Sequence, residues 1–264
     1  MDRKLGMFLN TKHIEVNEGI QKAREWDLKY IQLYAMNRNF NLANISKVEW
    51  ITLKESLSLN GMKVPSLAIN FGENGIVGTE IDSAIDQFKY TTDKGLELGA
   101  RIITAHIGEI PDDEKSEYYN KMERVCDEIG DLVFKFGGVF AIETGSEKAI
   151  VLKRFLENIN AKGLAVNFDP ANIISDVNEN LIESLFLLKE YVVQTHIKDC
   201  KEVKSNGSSK YIEVAAGNGE VDFDTFFKAL DEIGFDGYNM IERNDYFDQL
   251  DGMSQSINFV KKYI

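Results

Sequence analysis

Glu143, Asp169, His196 and Glu242 each close a short apolar run in the second half of the 264-residue chain. They stand in Ala141-Ile142-Glu143-Thr144-Gly145, Asn167-Phe168-Asp169-Pro170-Ala171-Asn172, Thr195-His196-Ile197-Lys198-Asp199 and Met240-Ile241-Glu242-Arg243-Asn244. Three carboxylates brought together repel one another and lose hydration in a partly enclosed site. A divalent cation resolves this, leaving a charge of about −1 if all three stay ionised. Oxygen donors with one imidazole suit Mn²⁺, Mg²⁺ or Co²⁺ better than a structural zinc site, which favours sulfur and nitrogen. The expected cofactor is therefore one divalent metal ion, Mn²⁺ first, with Mg²⁺, Co²⁺ or Zn²⁺ as alternatives. Taken singly, an acid at a strand end reads as a helix cap or a solvated charge, and a histidine there as a satisfied rim residue. The metal reading comes from four such groups at successive strand ends.

The elements that must position these groups are repeated strand–helix units. Eight apolar runs, at 5–9, 30–34, 64–69, 101–106, 138–142, 164–168, 192–196 and 238–241, alternate with longer amphipathic or charged stretches. The spacing predicts helices at 17–29, 45–59, 79–98, 113–136, 147–160, 177–190, 222–233 and 249–262. Gly61, Gly99, Gly137, Gly163 and Gly234 follow helical patterns, where glycine relieves the left-handed turn that ends a helix. Thr79 with Asp82 resembles a helix-start signal. The three prolines lie outside the expected helices, and no linker or low-complexity tract interrupts the pattern. An open doubly wound sheet would carry a glycine-rich phosphate loop after its first strand. That position reads Phe8-Leu9-Asn10-Thr11-Lys12-His13, so the expected fold is α/β, one closed (β/α)8 barrel spanning residues 1–264. In such barrels functional groups gather at the carboxyl ends of the strands. The fifth to eighth runs would then be neighbours, and their four terminal groups can converge.

Composition sets the outer limits. Hydrophobic residues make up 44% of the chain, enough for a large core, and a formal net charge of −13 disfavours a polyanionic nucleic-acid partner. No apolar run approaches the ~20 residues of a membrane span, and the first residues lack the pattern of a signal peptide. Cys126 and Cys200 form no framework or paired metal-ligand spacing; reduced thiols and a cytoplasmic location are expected.

With these segments in view, the sequence resembles the sugar phosphate isomerase/epimerase family, the xylose isomerase-like TIM barrels. The resemblance rests on Ile142-Glu143-Thr144-Gly145, Asp169-Pro170-Ala171-Asn172, His196-Ile197-Lys198-Asp199, and Gly217-Asn218-Gly219-Glu220-Val221-Asp222-Phe223 leading to Ile233-Gly234-Phe235-Asp236-Gly237 and Ile241-Glu242. It implies a metal held by Glu143, Asp169, His196 and Glu242. It also implies proton transfer by Glu143 and Glu242, as in the family's ketose epimerases, and a homodimer or tetramer. Two departures bear on the substrate: Gln32 ends the second strand where glutamate is frequent, and Asn172 stands where some epimerases carry histidine.

The expected reaction is removal of a proton α to a carbonyl, giving an enediolate stabilised by the metal and reprotonated elsewhere. The expected ligand is a small sugar or sugar phosphate. Candidate substrate contacts are His106, Asn172, Lys198 and Arg243, with Asp199 as a support for the metal ligands. For Lys198 and Arg243 a rim salt bridge competes with this reading, and for Asn172 a purely local turn role. His13 reads as a loop residue, Trp26 and Trp50 as packing, and Asp112-Asp113-Glu114 as a solvated helix start. Three alternatives stand beside isomerisation: an inosose-type dehydratase on the same site, an abasic-site endonuclease, and a barrel without catalysis. The endonuclease type of multi-zinc site draws on many histidines, and the chain has three.

Overall fold

Eight parallel strands close on themselves in the order β1, β10, β7, β6, β5, β4, β3, β2 in a computed structural model of the chain. Their ranges are β1 (Lys4–Leu9), β2 (Tyr30–Tyr34), β3 (Lys63–Ala68), β4 (Ile102–Ala105), β5 (Val139–Glu143), β6 (Leu164–Phe168), β7 (Val192–Ile197) and β10 (Tyr238–Ile241). The structure describes residues 3–264 apart from 38, 72–74, 78–80, 146, 160, 206–207 and 245–248. Each strand is covered outside by helices and filled inside by side chains. Both faces are therefore buried, and the strands read as near-continuous apolar runs rather than alternating ones.

The surrounding helices are α1 (Val16–Glu25), α2 (Lys47–Leu59), α3 (Ile81–Leu98), α4 (Glu117–Lys135), α5 (Ala149–Asn158), α7 (Leu181–Leu188), α8 (Phe223–Glu232) and α9 (Gln249–Val260), with a single turn α6 (Pro170–Asn172) after β6. The main apolar cluster fills the space between helices and barrel wall, with Phe88, Phe140, Phe155, Phe168 and Phe226 fully buried in it. Trp50 is part of this core and Trp26 packs against it, as expected of both. No helix among the described residues is long and apolar enough to cross a membrane.

Caps explain where the expected boundaries move. Ser116 accepts from the Tyr119 amide, so α4 begins after Ser116 rather than at 113. The first helix stops at Trp26, because Asp27 takes a left-handed conformation, φ 59°. Helix α7, expected from 177, starts at Leu181, where Asn180 caps two amides; residues 173–177 form a π turn ending at left-handed Asn178. Gly61, Gly99, Gly137 and Gly234 have the positive φ expected beyond a helix end. Gly163 does not: its role is close approach, since a Cβ there would lie 2.0 Å from the Gly130 carbonyl oxygen. Thr79 lies outside the described residues.

One element has no counterpart in the sequence reading. Strands β8 (Asp199–Ser205) and β9 (Ser208–Val214) form an antiparallel hairpin beyond β7, separate from the barrel.

Inside the barrel, alternation along the strands sets the layers. Ile102, Ala141 and Ala165 form a small apolar cluster. Two residues further along three of these strands come Thr104, Glu143 and Asn167, and two further again His106 and Asp169. Gln32 reaches Thr104 across β3, and Gln194 reaches Asn167, so polar groups occupy the middle of the interior. Phe8, Tyr34 and Ala68 form an apolar cluster on the β1–β3 side.

Candidate active site at the carboxyl end of the barrel

The last inward-facing side chains of β5, β6, β7 and β10 meet, as the strand order requires. Glu143, Asp169, His196 and Glu242 are buried, and one ligand atom from each lies within 4.8 Å of all the others. His196 Nδ1 is 2.7 Å from Glu242 Oε2, 3.3 Å from Glu143 Oε1 and 3.6 Å from Asp169 Oδ2.

Each carboxylate has one oxygen tethered and the other turned to this common point. Asp169 Oδ1 accepts from the amides of Ala171 and Asn172 at 2.9 and 3.1 Å, capping α6. Glu242 Oε1 accepts from Asn244 Nδ2 at 2.6 Å, and Asn167 Nδ2 lies 3.4 Å from Glu143 Oε2. The remaining oxygens of Asp169 and Glu242, Oδ2 and Oε2, are buried, form no hydrogen bond of regular geometry, and face only the positive groups of His196 and Lys198. Buried carboxylate oxygens held only by such ion pairs and aimed at one point fit a cation between them. Donors on opposite sides of an ion at ~2.1 Å stand about 4.2 Å apart, so the observed spread needs a contraction of only some tenths of an ångström. The chemistry of the donor set and its geometry both fit a divalent metal.

The imidazole is oriented from below. Gln32 Nε2 donates to Thr104 Oγ1 at 2.7 Å, and that hydroxyl lies 3.4 Å from the Leu67 carbonyl to which it donates. The amide oxygen of Gln32 therefore faces His196 Nε2, 2.9 Å away, and favours the ring form that carries a proton there, with Asn167 Nδ2 3.1 Å from the same nitrogen. This leaves Nδ1 as the nitrogen whose lone pair can serve a metal.

Without a cation the protein's own positive groups balance the acids. Burial opposes the charge on His196, but Glu242 and Glu143 outweigh it and hold its pKa well above the ordinary value. Burial likewise works against the Glu143 and Glu242 carboxylates. His106 and His196 hold Glu143 well below the usual range, and Lys198 with His196 brings Glu242 to about 2. Lys198 Nζ lies 3.3 Å from Asp169 Oδ2 and 3.6 Å from Glu242 Oε2. Against the cost of burial, these acids raise its pKa well above normal. The Glu143 charge lifts His106 to about 9, its Nε2 being 3.2 Å from Glu143 Oε1.

A cavity of about 350 Å³ opens above the cluster, lined by Phe8, Tyr34, His106, Glu143, Lys198 and Glu242 among others. His106 and Lys198 thus face the space where a substrate would sit. His13, read from sequence as a loop residue, also lines it. Asn172 and Arg243 do not. The Asn172 amide bridges the Thr144 carbonyl and Lys198, and the buried Arg243 guanidinium binds Glu213 Oε1 on β9 at 3.0 Å. Asp199 holds a loop: its carboxylate accepts from the amides of Cys200, Gly217, Gly219 and Val221 at 2.8–3.1 Å. Two glycines of the quoted motifs allow close approaches. A Cβ on Gly145, φ 131°, would fall 2.4 Å from Asn172 Cβ, and one on Gly219 would fall 2.2 Å from Asp199 Oδ1.

Sequence reasoning missed Gln32, Asn167 and Asn244 as tethers, and Glu213, which braces Asn244 through its backbone amide at 2.7 Å. Asparagines at strand ends are too common to signal this; Asn167 lies one strand over from Glu143 and His196 and Asn244 two residues beyond Glu242, while Gln32 reaches His196 from across the barrel.

A family profile described as xylose isomerase-like TIM barrel matches residues 20–263. The chain belongs to that family. Among xylose isomerase-like relatives, a Haemophilus influenzae protein, SgbU, provisionally assigned as an L-ribulose-5-phosphate 3-epimerase, is 25% identical, the match covering 90% of this chain and 88% of that one. The crystal structure of a xylose isomerase domain protein from Planctomyces limnophilus superposes with a TM-score of 0.85 at 25% identity, over 99% of this chain and 97% of that one. A xylose isomerase-like barrel from Mycobacterium smegmatis, solved with magnesium, shares the fold at a TM-score of 0.78 and 14% identity, covering 99% and 96% of the two chains.

Proposed function

We infer that the chain is a divalent-metal-dependent isomerase or epimerase of a sugar or sugar phosphate, acting in the cytoplasm with Mn²⁺ as the first candidate ion. The observation that carries this reading is the set of four buried potential ligand atoms within 4.8 Å of one another, three of them carboxylate oxygens. A sugar-epimerase relative of matching length supports the class of reaction.

Glu143, Asp169, Glu242 and His196 Nδ1 would hold the ion. When bound, it supplies positive charge to the substrate's carbonyl and neighbouring hydroxyl oxygens, where negative charge develops. Glu143 and Glu242, from opposite sides of the cluster, exchange protons with substrate carbon. One carboxylate takes the proton α to the carbonyl; the C–H pair moves into an enediolate, and the proton stays on the acid. Return of a proton by the other glutamate to the opposite face gives the epimer. Return on the same face, to the neighbouring carbon, with the hydroxyl proton of the first carbon passing to the former carbonyl oxygen, gives aldose–ketose isomerisation. Lys198 and His106 lie where they can bind hydroxyls and oppose the enediolate charge. Tethering of the acids' second oxygens limits reorganisation during these transfers.

A second reading is dehydration from the same enediolate, for which the protonated, half-exposed His106 is placed to give a proton to a departing hydroxyl. A metal-loaded screen of ketoses and ketose phosphates in D₂O tests both. Isomerisation keeps the substrate's composition apart from deuterium entering at carbon; dehydration loses water. Absence of exchange and of turnover across the screen removes the proposal.

A further inference from the structure

Lys12 stands on the β1 side of the cavity, away from the acid cluster, on a turn fixed at several points. The amides of His13 and Ile14 bond the Asn10 carbonyl, Asn10 Oδ1 accepts from the Lys12 amide, and Asn39 Nδ2 donates to the Lys12 carbonyl. Thr11 Oγ1, donating to the Tyr34 carbonyl at 2.7 Å, pins the same turn to β2. The Lys12 ammonium lies 5.1 Å from the centre of the Tyr34 ring. That ring is 5.8 Å from Phe8, and Phe8 is 5.9 Å from His196. An aromatic wall thus runs from the acid cluster to the lysine.

The positive groups of the cavity fall into two sets. Lys198 and His106 are within 3.6 Å of Asp169, Glu242 or Glu143, so their charge belongs to the cluster. The exposed Lys12 has no ion pair among the described residues, in a chain of net charge −13. Beyond it the space does not close. Lys12 and His13 also line a groove of about 600 Å³, shared with Glu15 and Glu49, that continues outward between the starts of α1 and α2. A ligand seated at the acid cluster can therefore extend along Phe8 and Tyr34 and place its far end at an unclaimed ammonium with room around it.

The geometry points to a phosphomonoester seat at Lys12, so that the substrate is a ketose phosphorylated at the end remote from its carbonyl. This rests on the isomerase or epimerase reading of the cluster and names the substrate class for it. A dianionic phosphate accepts charge-assisted hydrogen bonds from an ammonium. His13 stands on the same turn and lines the same cavity.

The test compares ribulose and xylulose with their 5-phosphates on the metal-loaded protein. The expected kcat/KM for the phosphate is about 10–100-fold above that of the free ketose. In Lys12→Met this preference collapses, chiefly through KM for the phosphate, and Lys12→Arg restores most of it. Inorganic phosphate, as a competitive inhibitor, weakens in Lys12→Met in parallel. Equal efficiency on both forms in the unaltered protein overturns the seat, as does an equal loss on both forms in Lys12→Met. If no sugar is turned over, calorimetric binding of the same pairs separates the two ideas. Tighter binding of the phosphates that depends on Lys12 keeps the seat while the reaction fails; binding without that preference overturns the seat.

Discussion

The Gln32 side chain accepts the Nε2 proton of His196 across the barrel at 2.9 Å, and this contact selects the nitrogen that faces the three carboxylates. The amide can do so because its own N–H group is engaged by Thr104. A residue on β2 thereby sets the donor geometry of a cluster built on β5, β6, β7 and β10.

Replacing Gln32 with Leu removes the acceptor and frees the ring to turn. Divalent-metal affinity should fall about 10–100-fold, the usual effect of losing a partner behind a metal ligand. Titration calorimetry with Mn²⁺ reads this directly, and Gln32→Glu, which keeps an acceptor, should retain more affinity than Leu. Unchanged affinity in the Leu variant would show that the ring is held by its other neighbours.

Glu143→Gln and Glu242→Gln keep the size of each side chain while removing the carboxylate. Each should lower kcat by about 10²–10⁴-fold if the group transfers a proton. Circular dichroism should show both variants folded. Deuterium exchange into substrate assigns the steps, since loss of one glutamate can abolish one half-reaction and leave the other. Near-normal turnover in both variants would remove them as acid–base groups.

Chelation should abolish activity, with recovery on adding Mn²⁺ or Co²⁺. The pH dependence has a definite sign. Without metal, His196 holds a proton to well above its ordinary pKa because Glu242 and Glu143 favour the imidazolium despite burial. Metal must displace that proton, so affinity rises with pH by up to about tenfold per unit until the imidazolium is gone. Calorimetry in two buffers of different ionisation enthalpy should report about one proton released per ion near neutrality. Affinity independent of pH would mean that the imidazole is neutral before the ion arrives.

Glu147 offers a separate pH signature. Burial drives its carboxyl up to about 8, with the Ile110 amide as a backbone donor and Oε1 left without a partner. Its folded pKa is above the unfolded value, so the stability from holding the proton is complete below about 4.5 and is lost as pH rises through about 8. Glu147→Gln, which mimics the protonated acid, should flatten the fall in Tm across this window. At the alkaline end it should be the more stable form by on the order of 1 kcal/mol, about 2–4 °C. Parallel melting curves for the two proteins would refute this assignment.

How far the sequence was readable follows from where each residue makes its contacts. The eight strands were visible because a parallel barrel buries both faces, leaving runs such as Leu164–Phe168 almost wholly apolar. The convergence of Glu143, Asp169, His196 and Glu242 was visible because each stands at the carboxyl end of its strand. The hairpin was not, because Lys201, Glu202, Lys204 and Lys210 break any apolar run, and of its described residues only Asp199 and Cys200 are buried. Gly163 looked like a helix terminator, since a packing glycine and a capping glycine leave the same mark in a chain. The tethers at Gln32, Asn167 and Asn244 depend on cross-barrel register, which emerges only when the strands are laid side by side. Asn172 and Arg243 were drawn to the cavity by their neighbours in sequence, while their side chains turn to Thr144 and Glu213.

Glu213 sits on the hairpin, yet its carboxylate grips the backbone of Asn244, whose side chain grips Glu242. The most solvated strand pair is thus mechanically in series with one of the most deeply buried acids. Polar substitutions near Glu213, which look harmless from outside, would propagate inward as a slackened anchor for a single carboxylate oxygen.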